Sequence, residues 1–174
     1  VNVSAHQLRT PGALVEDILA ALRSTGLPTS ALELELTECV RIGAAGEALA
    51  ALHELRGLGI SIALDDFGTG YSSLGYLRRL PVDCLKIDRS FVSDLSTDEG
   101  AERVLQAILG IASALRMRTV AEGIETPAQL EILCKHGCIE GQGFLLARPL
   151  DPNALEALLS KSVAIGATRP SAAA

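Results

Sequence analysis

The sequence has 174 residues, of which 48% are apolar and 3% aromatic, and its formal net charge is −6. This length suits one domain with an aliphatic α/β core. The negative charge argues against a protein that tracks polymeric nucleic acid, because such proteins carry a basic surface that displaces counterions. A small phosphate ester held through metal ions is still compatible with it.

No segment resembles a signal peptide and no apolar run is long enough to cross a bilayer, so we expect a soluble, cytoplasmic domain. Because the chain starts with Val1 rather than Met, we expect it to be a piece of a longer parent protein, which could itself be membrane-anchored. The four cysteines show no disulfide pattern, which fits a reducing compartment. Cys134 and Cys138 flank His136 without a second ligand pair at zinc spacing, so we interpret them as packed or free thiols.

Apolar periodicity and turn residues predict alternating strands and helices. The predicted strands cover 1–4, 32–38, 60–64, 84–88, 119–123 and 139–144. The predicted helices cover 14–22, 44–55, 72–79, 102–115, 127–136 and 152–159. We expect Thr126 to be an N-cap, with Pro127 at the first helical position. The predicted domain covers residues 1–163, and the tail from residue 164 is expected to be disordered.

The central feature is the run 60–64, which predicts a buried strand that ends at two adjacent carboxylates, Asp65 and Asp66. Gly68 and Gly70 mark a loop directly after them. Neighbouring side chains on a strand point to opposite faces, so both carboxylates could reach one site only where the strand gives way to the loop. Adjacent carboxylates also repel each other unless a cation lies between them. The pattern therefore predicts one or two divalent metal ions.

Polar side chains occupy the carboxyl ends of successive predicted strands, where (β/α)8 barrels build their active sites. They are Asn2, Glu35, Asp65, Asp66, Lys86, Asp88, Glu122 and Gln142. A closed barrel needs eight βα units and about 250 residues, whereas we predict six units here. The pattern thus allows two alternatives: an open doubly wound sheet, or a barrel of which about two N-terminal units are absent.

Six segments cover the predicted strand ends: Val-Asn-Val-Ser (1–4), Glu-Leu-Glu-Leu-Thr-Glu (33–38), Asp-Asp-Phe-Gly-Thr-Gly-Tyr-Ser-Ser-Leu (65–74), Lys-Ile-Asp-Arg-Ser-Phe (86–91), Ala-Glu-Gly-Ile-Glu (121–125) and Gly-Gln-Gly-Phe (141–144). In this order they resemble the EAL domain, the family of bacterial cyclic-di-GMP phosphodiesterases. The longest of these is highly specific, whereas the first alone is weak. The resemblance implies an α/β fold, a TIM-like (β/α)8 barrel of the EAL type with about six of eight units present.

The resemblance also implies a site with two Mg²⁺ or Mn²⁺ ions. The implied metal ligands are Asn2, Glu35, Asp65, Asp66 and Glu122. Such ions prefer oxygen ligands, which asparagine, aspartate and glutamate side chains provide. Two ions about 3.5 to 4 Å apart can activate a bridging water and stabilise both oxygens of a phosphodiester displacement.

The remaining implied residues position water, substrate and a loop. The resemblance places Lys86 and Gln142 beside the attacking water, and it groups Glu38 and Glu125 with the catalytic residues. Glu38 is implied to brace the loop 67–73. We expect the bracing partners to be Thr69 or Ser72, and we assign Asp88 a supporting role beside the site.

The match lacks the Glu-Ala-Leu motif that names the family, which lies on a strand before the segment 1–4. Glu-Ala-Leu does occur at 47–49 and 156–158, but both copies lie in predicted helices. The missing strand is implied to supply a further metal-binding glutamate and an arginine for substrate phosphate. We therefore expect the 174 residues alone to be inactive and poorly folded, with unpaired sheet edges.

Three functions are compatible with these residues. The first is hydrolysis of cyclic-di-GMP to linear pGpG by the intact parent domain, which the resemblance implies to be a homodimer accompanied by other domains. The second is a non-catalytic EAL-like receptor for the nucleotide, or an interaction module. The third is a Mg²⁺-dependent barrel enzyme that uses Lys86 as a base, which the surrounding carboxylates disfavour because they stabilise the charged amine.

Overall fold

The computed structural model describes residues 1–37, 46–68, 74–138 and 140–162. In these residues six parallel strands form one sheet. The strands are β1 (Asn2–Val3), β2 (Glu33–Thr37), β3 (Ser61–Phe67), β4 (Cys84–Ile87), β5 (Arg118–Ala121) and β6 (Glu140–Gly141). The helices are α1 (Pro11–Thr25), α2 (Gly46–Gly57), α3 (Leu74–Leu77), α4 (Arg89–Ser93), α5 (Glu99–Ala114), α6 (Pro127–Lys135) and α7 (Pro152–Ser162).

The strands follow one another across the sheet in the order in which they occur in the sequence, β1-β2-β3-β4-β5-β6. At least one helix follows each strand, which confirms the predicted α/β class and the six βα units. A doubly wound sheet reverses its strand order at a switch point. Because this order never reverses among the described strands, the sheet corresponds to part of a barrel rather than to an open doubly wound sheet.

The two faces of the sheet differ in polarity. On β2, Leu34 and Leu36 are each 1% exposed, whereas the alternate residues Glu33, Glu35 and Thr37 are partly exposed. The apolar face packs into an aliphatic core together with side chains from the helices. Its largest fully buried members include Leu34, Leu36, Leu52, Leu55, Ile62, Leu85, Ile87, Leu105 and Leu133. The other face of the sheet is thus left for polar side chains.

Helix ends follow the residue types that the sequence provides. Thr126 accepts a hydrogen bond from the backbone of Gln129, whose side chain accepts in return from the Thr126 backbone. This capping box, with Pro127 at the first helical position, confirms the predicted start of α6. At the end of α1, Gly26 has a φ of 69° and donates its N–H to the Leu22 carbonyl.

The structure differs from the prediction at the central strand. We predicted that the strand ends at Leu64, but β3 continues through Asp65 and Asp66 to Phe67. Leu64 pairs with Leu85 and Phe67 pairs with Ile87, so β3 has one residue more than β4 over this interval. The extra residue is a β-bulge, and a prediction that assumes regular alternation does not contain it.

The other differences concern element boundaries. The helix predicted at 102–115 starts three residues earlier, where the Asp98 side chain accepts from the Gly100 N–H. The short helix α4 was not predicted. Strand β6 is shorter than the predicted 139–144, with residue 139 outside the described part. Residues 163–174, and with them the predicted tail, also lie outside it.

None of the helices in the described ranges combines the length and apolar character needed to cross a membrane. The described cysteines, Cys84, Cys134 and Cys138, have free thiols. His136 lies 2.6 Å from a Glu102 carboxylate oxygen, which ties α6 to α5. This contact gives the histidine between the two cysteines a partner on α5.

Candidate active site at the carboxyl ends of the strands

Lys86 lies on β4 and forms the centre of an ionic cluster. Its Nζ atom is 2.8 Å from Asp65 Oδ1, 2.8 Å from Glu122 Oε1 and 3.2 Å from Glu35 Oε1. The Lys86 side chain is 8% exposed, and those of the three acids are between 14% and 23% exposed. Glu35 comes from β2, Asp65 from β3 and Glu122 from the residue after β5. The polar face of the sheet therefore brings three strand ends around one ammonium group.

The bulge in β3 explains how two adjacent aspartates reach the same site. Asp65 and Asp66 together oppose the single residue Lys86 on β4. Asp66 has a φ of 54°, a left-handed conformation that aspartate tolerates better than most residues do. In a regular strand these two side chains would point to opposite faces. The extra residue turns both toward the cluster.

Three carboxylates in the described residues are close enough to share a metal ion. Each of Asp65, Asp66 and Glu122 offers an oxygen, and these oxygens lie within 4.8 Å of one another. The donor set contains only carboxylate oxygen, which fits Mg²⁺ and Mn²⁺ and does not fit softer metals. Glu35, from β2, lies 3.2 Å from the Lys86 ammonium group and adds a fourth carboxylate to the cluster. The residues present thus suit the divalent ions that the sequence predicts.

Burial or neighbouring charges raise the pKa values of three groups in the cluster. Burial opposes the charge of Lys86, but the hydrogen-bonded carboxylates of Asp65 and Glu122 outweigh it and raise the pKa of the ammonium group. Burial also raises the pKa of Glu122, although Lys86 lies beside it. The pKa of Asp66 is raised by burial and then by the charges of Asp65 and Asp88. Lys86 is therefore protonated at neutral pH, which argues against its use as a base.

Gln142 connects the cluster to β6. Its Nε2 atom donates a hydrogen bond to Glu122 Oε1 at 2.7 Å, and its backbone bonds both Ala121 and Ile124. The next residue, Gly143, packs so closely against Ile124 that a Cβ atom would collide with the Ile124 backbone. Close packing therefore requires glycine at this position, and this packing keeps Gln142 near Glu122.

A pocket with a volume of about 670 Å³ opens beside the cluster. This volume lies within the range of roughly 300 to 1,000 Å³ that is usual for small-molecule sites. Its polar lining includes Asp66, Asp88, Glu122, Glu125, Gln142 and Arg148. The pocket combines acidic groups near the sheet with basic and apolar groups from the segment that leads into α7.

The remaining predicted residues lie near the cluster or outside the described part. Asn2 is exposed on β1 and is the strand partner of Glu35. Asp88 caps α4 by accepting from the Ser90 N–H at 3.0 Å, and although burial opposes its charge, these hydrogen bonds lower the pKa of the carboxyl. Glu125 is exposed at the pocket. Three further predicted residues lie outside the described residues: Glu38, Thr69 and Ser72.

The prediction from sequence missed an aromatic and basic pair at the pocket. The Arg148 guanidinium lies 4.6 Å from the centre of the Phe144 ring, and Phe144 is 55% exposed. A cation over an aromatic face stabilises the position of both groups. The signal that could have revealed them is Phe144 directly after the Gly-Gln-Gly segment, followed by Arg-Pro at 148–149.

Comparison with known proteins places this geometry in a family. The sequence profile of the EAL domain matches residues 1–149. The cyclic di-GMP phosphodiesterase NbdA of Pseudomonas aeruginosa is 46% identical over 159 residues, which are 91% of this chain and 20% of NbdA. The chain thus spans about a fifth of the length of this relative.

Two solved structures share the fold. The PaMucR phosphodiesterase in its c-di-GMP complex has a TM-score of 0.82 and 44% identity, with coverage of 89% of this chain and 62% of that chain. The EAL domain of Mycobacterium smegmatis DcpA has a TM-score of 0.87 and 42% identity, with coverage of 92% and 71%. Together with the profile match, these similarities confirm the resemblance seen in the sequence, and the chain belongs to the EAL domain family.

Proposed function

We propose that the intact domain of which this chain is part hydrolyses cyclic di-GMP to linear pGpG with the help of divalent metal ions. The observation that supports this most is the convergence of Glu35, Asp65 and Glu122 around Lys86, beside a pocket that Glu122 lines. NbdA is named as a cyclic di-GMP phosphodiesterase, and PaMucR as a phosphodiesterase in complex with this dinucleotide. These similarities support the same activity for the intact domain.

In this proposal the strand ends hold two Mg²⁺ or Mn²⁺ ions. When bound, such ions supply a hydroxide nucleophile at neutral pH and relieve negative charge on the phosphoryl group. The proposed ligands are Asn2, Glu35, Asp65, Asp66 and Glu122. The close approach of the Asp65, Asp66 and Glu122 oxygens supports the assignment of these three.

Lys86 and Gln142 act on the attacking water and its surroundings. Lys86 is proposed to donate a hydrogen bond and to offset negative charge rather than to remove a proton, because the carboxylates around it raise the pKa of its ammonium group. Gln142 orients Glu122 through the hydrogen bond described above. Asp88 and Glu125 line the pocket and are proposed to contact the nucleotide.

The roles of Glu38 and its loop, and the assembly of the domain, are proposed from the resemblance to the EAL domain. Glu38 is proposed to brace the loop after Asp66 through Thr69 or Ser72. The domain is proposed to be a cytoplasmic homodimer joined to other domains of its parent protein. The relative MucR, named as a bifunctional diguanylate cyclase and cyclic di-GMP phosphodiesterase, matches over only 22% of its length, which supports further domains in the parent.

The test is hydrolysis of cyclic di-GMP by the purified intact domain with Mg²⁺ or Mn²⁺, followed by chromatography of the products. We expect the unmutated domain to produce pGpG. We expect Glu122→Gln to lose most of this turnover, because the substitution removes a carboxylate of the acidic cluster. Glu131→Gln is the matched control, since Glu131 is exposed on α6. Binding of the dinucleotide by the parent without cleavage would contradict the proposal and favour a receptor.

A further inference from the structure

A second ionic network lies on the polar face of the sheet, nearer the amino ends of the strands. Arg118, the first residue of β5, donates from Nη2 to Glu33 Oε2 at 2.6 Å and from Nη1 to Glu140 Oε2 at 2.8 Å. Ser61 also donates to Glu33 Oε2, at 2.8 Å. We call these four residues the Arg118 network. It joins β2, β3, β5 and β6 through side chains.

Each member of the Arg118 network lies an even number of residues before a candidate-site residue within the same strand or directly after it. Glu33 precedes Glu35 by two, and Arg118 precedes Glu122 by four. Side chains two or four positions apart on a strand share a face. The backbone of Glu122 extends the β5 ladder by donating to the Ile87 carbonyl at 3.0 Å. The Arg118 network is therefore a lower layer of the face that carries the site.

Direct contact between Arg118 and Glu33 fits a sheet that curves toward their shared face. Strands β3 and β4 separate β2 from β5, so the two would be roughly 14 Å apart in a flat sheet with strand spacings of about 4.8 Å. The 2.6 Å contact draws the inner faces of β2 and β5 toward each other. Above it, Glu35 and Glu122 approach the same Lys86 ammonium from these same two strands. The two layers thus depend on the same curvature.

We propose that Arg118 is a positioning residue that sets the separation of Glu35 and Glu122, and with it the affinity of the site for divalent ions. This inference rests on the proposed metal-dependent function. Arg118 forms ion pairs with both Glu33 and Glu140. Without its guanidinium group the two carboxylates repel each other, and this repulsion reduces the curvature of the sheet. In this proposal Arg118 acts through sheet curvature and not through contact with the cluster around Lys86.

The test compares Mn²⁺ binding by calorimetry, without nucleotide, in the intact domain and its variants at a temperature at which all are folded. We expect Arg118→Met to weaken Mn²⁺ affinity roughly 10- to 100-fold, the usual range for residues that orient metal ligands. Arg118→Lys should recover part of this loss, because it keeps the positive charge between Glu33 and Glu140. Arg103→Met, at an exposed position on α5, should bind like the parent.

Glu33→Gln provides a second variant if Arg118→Met does not fold, because it weakens the link between β2 and β5 and leaves the contact between Arg118 and Glu140. We expect it to weaken Mn²⁺ affinity as well. Parent-like affinity in a folded Arg118→Met or Glu33→Gln variant would overturn the positioning role and leave the proposed function intact. If the unmutated domain did not bind Mn²⁺, the positioning role and the proposed function would both be wrong.

Discussion

Lys86 differs from a surface lysine because its ammonium group is surrounded by carboxylates from the ends of three strands. The Lys86 side chain is 8% exposed and makes ion pairs with Glu35, Asp65 and Glu122. Removal of one member of a buried ionic group is costly, since the remaining charges are left without compensation. The charge of Lys86 therefore supports the fold of the site as well as its proposed chemistry.

We predict that Lys86→Met lowers the free energy of unfolding of the intact domain by about 3 kcal/mol in the presence of a chelator. Mn²⁺ should restore more stability to this variant than to the parent, because the ion replaces the missing positive charge. Thermal unfolding with and without Mn²⁺ measures both effects.

Lys135→Met is the matched control, because Lys135 forms an ion pair 2.7 Å from Glu102 but its side chain is 64% exposed. Surface pairs of this kind contribute less than about 1 kcal/mol. Equal unfolding free energies of the two variants in chelator would contradict the role assigned to Lys86.

The sequence predicts which polar residues lie at strand ends, since strand alternation is a local property. It does not predict that Lys86 contacts Asp65 and Glu122, because those residues lie on neighbouring strands and their distances depend on sheet curvature. The Arg118 network was missed for the same reason. Arg118 and Glu33 are 85 positions apart, and nothing local connects them.

At the scale of elements, the segment after β6 depends on close backbone packing. The Gln142 carbonyl accepts from the Ile124 N–H at 3.1 Å, and the Ile124 carbonyl accepts from the Leu145 N–H at 3.0 Å. Gly143 lies between these two bonds, where a side chain has no room. This arrangement fixes the position from which Gln142 reaches Glu122.

We predict that Gly143→Ala destabilises the intact domain by about 1 to 3 kcal/mol, as overpacked positions usually do, and reduces turnover of cyclic di-GMP by displacing Gln142. Chemical denaturation and the hydrolysis assay measure the two effects. Gly110→Ala is the control, because Gly110 lies within α5 with open space around its Cβ position. Alanine should stabilise that helix by up to about 1 kcal/mol. The same response in both variants would contradict the packing argument.

Helix starts were predictable where capping residues mark them, as Thr126 and Pro127 do for α6. The end of β3 was not, because a bulge breaks the period on which strand predictions rest. Asp66 adopts its left-handed conformation in the folded sheet, and its own sequence neighbours do not signal it. The reason that two adjacent aspartates serve one site thus came from the structure.

At the scale of the whole molecule, the described strands form an arc with two edges. Strands β1 and β6 each pair with one neighbour, and they do not pair with each other in the described residues. The chain covers 62% of the PaMucR phosphodiesterase and 71% of the DcpA EAL domain. The sequential strand order could be predicted from the spacing of the βα units, whereas the closure of the barrel depends on contacts beyond these residues.

We predict that the 174 residues alone hydrolyse cyclic di-GMP far more slowly than the intact domain does. Exposed parallel edges destabilise the curvature on which the site depends. A hydrolysis assay of both proteins at equal concentration, together with their circular dichroism spectra, checks this expectation. Comparable turnover would show that the described strands are sufficient for catalysis.

The extra residue in β3 determines how many aspartates reach the candidate site. Loss of one residue between Leu64 and Phe67 would restore an even ladder against β4, so the strand and its apolar packing could persist. The centre would then keep one aspartate instead of two. We therefore expect deletion of this one residue to remove a proposed metal ligand, and with it the proposed activity, from a domain that still folds.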